Sequence, residues 1–299
     1  MRILRRALVG IALALLVGAG LVACSNRPVP IAPPPETGLR LGTLNVHYII
    51  LRQETGPWSV GDWERRKGPM DLAFKAMDAD IVAFQEMESF GGGSASDINL
   101  ARDWLLERNP GYRAAADGDP AVFPNTQPIF YRADRMTRVD QGWFFFSETP
   151  DVIYSRTFNG SYPAFASWAL FDVSGKGLRV VNVHTDFASL SNRRRSLELV
   201  AERVAPWIAG GERVVVMGDF NAFLGGGLLG LLEEVGVGFV DISGPTYHLN
   251  RGLGLFPAVD HVGLAGEVRA PGPAQVIRQR FDREWPTDHY PVVVDVVLD

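Results

Sequence analysis

Short apolar runs alternate with amphipathic stretches along most of this chain. The runs Leu39–Val46, Asp80–Phe84, Pro128–Tyr131, Met136–Phe145, Phe165–Val173, Leu178–Val183, Arg213–Met217, Val259–Leu264 and Tyr290–Leu298 predict strands. Trp63–Met77 mixes charges with Met70, Leu72, Ala73, Phe74 and Met77, and predicts a helix interrupted near Gly68-Pro69. Asp97–Arg108 predicts a helix that starts at an Asp cap, with Leu100, Trp104 and Leu105 on one side. Leu197, Val200, Val204 and Ile208 are spaced 3, 4 and 4 apart, the stripe of an amphipathic helix. Gly91–Gly93, Asp117–Gln127 and Pro150–Tyr162 predict loops. Two packed sheets with helices outside account for the mixture.

The first residues follow a different pattern. Arg2, Arg5 and Arg6 precede an apolar run from Ala7 to Val22, shorter than the roughly 20 residues of a membrane span. Residues 1–23 are therefore set apart as an export signal. The tetrad Leu21-Val22-Ala23-Cys24 resembles the lipobox of bacterial lipoproteins, in which cleavage precedes a lipidated Cys. Cys24 is the only cysteine, so no intramolecular disulfide can form. A plain secretory signal with a stray Cys is the alternative. Ser25 resembles the residue that permits export onward from the inner membrane. The implied location is the bacterial cell envelope, lipid-anchored on the periplasmic side of the outer membrane. Residues 24–38 then read as a Pro-rich linker, with five prolines between Asn26 and Thr37, extended and semi-rigid. The folded domain covers 39–299, with no internal repeat.

Composition adds limits. With 46% hydrophobic and 21% charged residues in 299, the chain suits one large domain or two small ones. The 32 Gly and 20 Pro predict a strand-rich fold with long loops. Removing residues 1–23 takes away three of the 29 basic residues and none of the 34 acids, leaving a charge of −8. That balance disfavours nucleic acid bound through phosphate neutralisation, without excluding a small basic cleft.

Several predicted strands end on carboxylates, amides or imidazoles. VVVMGDFNAF, Val214–Phe223, breaks from apolar residues into Gly218, Asp219, Phe220 and Asn221. Asp and Asn are poor strand formers and costly to bury unpaired. The first strand ends at Asn45, and Asp80–Met87 carries Gln85 and Glu86. Val180–Phe187 carries His184 and Asp186, Phe256–Leu264 carries Asp260 and His261, and Pro286–Val296 begins with Asp288 and His289. One such end is a turn or a cap. Recurrence across the chain points to one convergent site. Asn45, Glu86 and Asp288 offer hard oxygen ligands for Mg²⁺ or Mn²⁺, and the lack of thiolates argues against structural zinc. Asp219 is suited to orient or deprotonate water, and a His backed by an Asp keeps one tautomer. Phosphoryl transfer needs such parts. Alternation places His261 opposite Asp260 and so in a structural role. His47 and His248 are secondary candidates for the rim.

Asn45, Gln85-Glu86, Asn182-Val183-His184, Gly218-Asp219-Phe220-Asn221, Asp260-His261 and Asp288-His289 occur in the order of the endonuclease/exonuclease/phosphatase superfamily, which this sequence resembles from Leu39 to Asp299. Pro128–Arg132 and Ser147–Asp151 resemble a secreted bacterial branch of it. The resemblance implies a deoxyribonuclease I-like α/β fold, a four-layer α/β sandwich of two mixed sheets flanked by helices. It implies Glu86 as main metal ligand, helped by Asn45 and Asp288. It implies that Asp219 orients the attacking water, Asn221 holds a phosphate oxygen, His184 donates to the phosphate, and His289 acts with Asp260. One departure is Ala164, where the branch usually has an Arg. Arg156 is the candidate replacement, and Arg193, at a helix start, is a second candidate for substrate binding. The dedicated Tyr of abasic-site enzymes has no clear counterpart.

The expected activity is hydrolysis of a phosphodiester or phosphomonoester by water attack, by a monomer. Nuclease and phospholipid- or headgroup-cleaving activities are not separated, although charge and anchor lean away from DNA. The competing class is a catalytically inactive binding lipoprotein on the same fold.

Overall fold

The computed structural model describes residues 2–90, 98–160 and 162–299. Two sheets, each with a parallel pair at its centre, pack face to face. In the first, Leu39–Asn45 runs parallel to Ile81–Gln85 and antiparallel to Val292–Leu298. Ile129–Arg132 and then Tyr112–Ala115 extend one side, while Val268–Arg269 and Gln275–Val276 pair with Val292–Leu298. In the second, Arg213–Asp219 runs parallel to Lys176–His184 and antiparallel to Asp260–Ala265. Gly238–Phe239 closes one edge, and Phe165–Val173 and Thr137–Phe145 form the other.

Three apolar layers explain why the strand runs are continuous. Leu41, Ile81 and Ala83 meet Val180, Val215 and Met217 between the sheets. Val214 and Val216, on the opposite face of the same strand, pack under Leu197, Val200 and Val204 of the helix Leu190–Ala209. Val82, Phe84 and Phe130 pack under Met70, Phe74 and Met77 of Val60–Met77 and Leu105 of Leu100–Arg108. Each central strand is buried on both faces, so alternation disappears from its sequence. The four expected layers are present.

Several local expectations change. Val60–Met77 is one uninterrupted helix through Gly68-Pro69. It starts at Ser59, whose hydroxyl accepts from the Asp62 N–H. Trp63, on one side of Pro69, and Met70, Phe74 and Met77, on the other, are buried in a single cluster, and this packing outweighs the lost backbone bond. The next helix starts at Leu100 with Asn99 as its cap, accepting from Arg102 N–H. The expected Asp97 cap and the Gly91–Gly93 loop lie outside the described residues.

The Pro-rich segment is not a free spacer. Arg40 is buried, pairs with Asp295 through two hydrogen bonds of 2.7 and 3.0 Å, and donates to the carbonyls of Ala32 and Pro33. Ala32 N–H donates to Gln275 Oε1. Extended Pro-rich backbone leaves its carbonyls without internal partners, and a fixed guanidinium takes two of them. Ahead of it, Arg2–Ser25 is a helix with exposed Val9, Ile11, Leu13, Leu15 and Leu16. Among the described residues no helix is long and apolar enough to cross a membrane.

Candidate active site

Register brings the polar strand ends together. Asn45 is opposite Gln85, and Asp219 is opposite both His184 and Asp260. Below them Gln85 Nε2 donates to Asn182 Oδ1 at 2.7 Å, and Asn182 Nδ2 donates to Phe84 O. Both side chains are buried, and this link ties the two sheets at the level of the site.

The Gly-Asp-Phe-Asn stretch now has a residue-by-residue reason. Gly218 has φ 144°, and a Cβ there would lie 2.0 Å from Val183 O. Only glycine lets the two parallel strands approach at this point. Asp219 is buried, Phe220 packs against Phe239 and His261, and Asn221 takes φ 45°, a left-handed turn that Asn tolerates. Gly218→Ala is expected to destabilise the protein by more than about 3 kcal/mol in denaturant unfolding. A loss near 1 kcal/mol or less would mean that the strands are not this close.

Asp219 serves both readings open to it. Oδ1 accepts the Asn221 N–H at 3.0 Å, a turn cap. Oδ2 faces the cluster, accepting from Asn45 Nδ2 at 3.2 Å, with His289 Nε2 at 3.7 Å and His184 Nε2 at 3.8 Å. Burial raises its pKa, His289 and His184 pull it down, Asp260 adds to the rise, and the net direction is up. Asp260 Oδ2 accepts from His289 Nδ1 at 2.9 Å. Burial alone would lower the His289 pKa, but Asp260 and Asp219 outweigh it and hold the imidazolium well above its usual range.

Glu86, at φ 53°, turns toward the same cluster, with Oε1 3.0 Å from Asn45 Nδ2 and 3.7 Å from His184 Nε2. Asp288 is held by His47, whose Nδ1 lies 3.0 Å from Oδ1. Burial opposes ionisation of Asp288, but the His47 hydrogen bond and the His289 charge win and lower its pKa.

These three-dimensional facts agree with the sequence comparison. The family model of the Endonuclease/Exonuclease/phosphatase family matches residues 42–289. The chain belongs to this family. Among solved structures, a family member from Bacteroides thetaiotaomicron shares 23% identity over 88% of this chain and 98% of its own, with TM-score 0.72. A mannosyl-6-phosphatase from the same organism shares 22% over 87% and 99%, with TM-score 0.68. The zebrafish (D. rerio) TDP2 complexed with single-strand DNA product shares 14% over 88% and 100%, with TM-score 0.61. These likenesses establish the fold. No curated protein sequence matches the chain.

Within this family member the donor set suits a hard divalent cation. Tyr48, Tyr162 and Tyr247 all have raised pKa values, from burial first and then from carboxylates that include Glu86. Glu88 is pushed up to about 7 by burial and by Glu86. Glu86 and Asp288 offer hard carboxylate oxygens here, which a divalent cation would suit. Asn45 differs from its expected ligand role. It presents its amide nitrogen to Glu86, and its oxygen accepts the His47 N–H at 3.1 Å. It would ligate only after the amide turns over. Asp219, Asp260 and His289 also place one ligand atom each within 4.8 Å of one another. That triad is buried and already joined by the His289–Asp260 bond, so it is the poorer ion site.

Arg156 is exposed on its loop. Arg193 Nη1 is committed to the carbonyls of Asp186 and Phe187, where it braces the turn after the His184 strand. Asn221 follows Asp219 by two residues, with Nδ2 donating to Thr185 O at 3.0 Å. Ala164 is buried in the apolar layer under the Leu190–Ala209 helix, and Asp186 accepts from Ala188 and Ser189 N–H. His261 bonds on its own side of the sheet, Nε2–H donating to Ala222 O at 2.9 Å, as alternation predicts. Tyr162, Tyr247 and Trp58 were not among the expected site residues. Tyr162 Oη lies 3.4 Å from His184 Nε2, the Tyr247 ring lies 5.1 Å from that of His289, and Trp58 stacks at 5.0 Å on His47, which was expected only at the rim. All come from loops without periodicity.

Proposed function

We propose that this chain is a phosphoesterase that hydrolyses its substrate by water attack and requires Mg²⁺ or Mn²⁺. The observation that carries this reading is the position of Asp219 Oδ2, within 3.8 Å of both imidazole Nε2 atoms and hydrogen-bonded to the Asn45 amide that also touches Glu86. One acceptor and two imidazoles converge on one point beside the Glu86 carboxylate.

Asp219, with its raised proton affinity, takes the proton of a water whose oxygen forms the new bond to phosphorus. The bond from phosphorus to the leaving oxygen breaks, and that oxygen departs with the electron pair and is protonated by solvent water, while Asp219 later returns its proton to solvent. His289, kept protonated by Asp260, presents Nε2–H to the phosphoryl oxygens as charge develops there, with His184 beside it. A cation held by Glu86 and Asp288 would add positive charge at the same oxygens. Both the mannosyl-6-phosphatase and the TDP2 relative, as named, act on phosphate-bearing molecules, which supports the class without choosing a substrate. The full set of polar strand ends supports an enzyme over an inactive binding protein. The test is hydrolysis of bis(4-nitrophenyl) phosphate, 4-nitrophenyl phosphate, phospholipids and single-stranded DNA, with and without Mg²⁺ or Mn²⁺. Cation-dependent turnover of at least one, abolished by chelator, is expected. A folded protein inert toward all of them overturns the reading.

We further propose that Cys24 is lipidated and tethers the domain in the cell envelope, most simply on the periplasmic side of the outer membrane. The lipobox-like tetrad supports this, and Cys24 is exposed. Cys24→Ser should move the protein from the membrane fraction to the soluble one. Retention of processed Cys24→Ser protein in the membrane fraction would refute the tether.

A further inference from the structure

The segment from Leu249 to Phe256 is the feature of the surface that catalysis does not explain. Leu249, Leu253, Leu255 and Phe256 are all exposed, the last two by 52% and 51%. The loop is nevertheless firmly built. Buried His248 serves as its hub: Arg251 and Leu253 N–H donate to His248 O, and Gly252 N–H donates to His248 Nδ1 at 3.2 Å. The His248 ring is flanked by Trp285 and Tyr290, at centroid distances of 4.5 and 4.2 Å. Apolar side chains held out on an ordered loop cost solvation without gaining packing, and that arrangement marks an interaction surface.

A second, independent contact indicates what covers it. Asn26, two residues after Cys24, pairs with both backbone groups of Gly254: Nδ2 donates to Gly254 O at 3.0 Å and Gly254 N–H donates to Oδ1 at 2.8 Å. Gly254 must be glycine here, because a Cβ would lie 2.3 Å from Pro245 and 2.8 Å from Asn26 Oδ1. The segment that follows Cys24 therefore lies against the apolar loop. Arg27, Arg251 and Arg280 are exposed around it, with Arg280 over the Trp285 ring on which Gly252 also abuts. Apolar tips with a basic rim match the headgroup boundary of an anionic bilayer. The base of the loop is joined to the site itself: His248 N–H donates to Asp288 O, and Tyr247 pairs with His289.

We infer that the loop 249–256 is a membrane-docking surface that seats on the anionic phospholipid bilayer to which Cys24 is tethered and turns the active site toward the headgroup layer. This inference rests on the tethered phosphoesterase proposed above. The lipid thereby orients the domain instead of merely retaining it, and a phosphoester carried in the headgroup layer is the favoured substrate class.

The test uses the full chain, purified with its lipid and reconstituted in phosphatidylethanolamine–phosphatidylglycerol vesicles. An environment-sensitive fluorophore is attached at Leu255→Cys or, as a control, at Val139→Cys, which is exposed at the far end of the second sheet. The Leu255 probe is expected to shift to the blue and to be quenched by doxyl-labelled lipid, and the Val139 probe to remain aqueous. Equal aqueous signals from both overturn docking. In a second arm, the triple change Leu253→Ser, Leu255→Ser, Phe256→Ser should slow hydrolysis of a vesicle-borne phosphoester about tenfold or more while leaving soluble bis(4-nitrophenyl) phosphate unaffected. Equal rates for variant and parent on vesicles overturn the orientation. Absence of any turnover by the parent defeats the phosphoesterase reading alone, since the fluorophore still decides docking. Intact mass reports whether Cys24 is modified. If it is not, the same probe on the Cys24→Ser chain with added vesicles decides the loop separately from the tether.

Discussion

Asp219→Asn should lower kcat by about 10²–10⁴-fold or more with KM little changed, since proton abstraction from water is realised only in the transition state. The geometry makes this substitution unusually clean on one side of the carboxylate. Oδ1 caps the Asn221 N–H, and an Asn side chain can keep that bond through its own oxygen. The other position changes from a charged acceptor to an N–H donor. It then faces Asn45 Nδ2, which is also a donor, and two imidazoles that have lost the charge between them. Loss of function and some loss of stability should therefore separate. The melting temperature should fall by a few degrees, from the opposed donors, while turnover collapses. Steady-state kinetics at saturating substrate and cation, together with thermal unfolding, measure the two effects. A folded variant with near-parental kcat would return Asp219 to its capping role alone and leave the mechanism without a proton acceptor.

The parts of this molecule that could be read in advance are those set by strand burial. Val214–Met217 is apolar throughout, and Val180–Val183 is apolar apart from Asn182, because both faces are covered, so the strands were visible while their ends were placed early. The polar residues His184 and Asp219 belong to the strands and continue the register. Tyr112–Ala115 escaped notice. It is a short, half-exposed edge strand that owes its state to pairing with Ile129–Arg132. The site was legible for a related reason: a turn cap can account for one carboxylate or imidazole at the end of a buried strand, but not for its recurrence on strand after strand. Loop geometry was not legible. His47 reaches Asp288 because Arg66 donates to the carbonyls of Val46, His47 and Pro286, fixing a turn no periodicity announces. Arg193 looked like a phosphate contact by its place at a helix start, but its own loop carbonyls lie nearer. Proline content suggested a spacer, and a buried arginine made the segment part of the domain surface.

Glu86→Gln should abolish most turnover and remove the response of the protein to Mg²⁺. The substitution preserves volume, and the Gln oxygen can still accept from Asn45 Nδ2, so the local fold has little reason to move. What disappears is the charge on one of the two carboxylates that would hold the cation. Loss of an outer partner of a metal ligand typically costs about 10–100-fold in metal affinity or activity, so loss of the ligand charge itself should exceed that range. The same change should relieve Glu88, whose proton affinity is raised by burial first and by Glu86 second. In the absence of added cation the variant should therefore melt at or slightly above the parental temperature. With cation added, the parent should gain stability by mass action and the variant should not. Differential scanning fluorimetry across a Mg²⁺ titration, run beside the activity assay, reads both. If the parent is fully active in excess chelator, or if Glu86→Gln still shows the parental cation-induced shift in Tm, the cation is not held at Glu86.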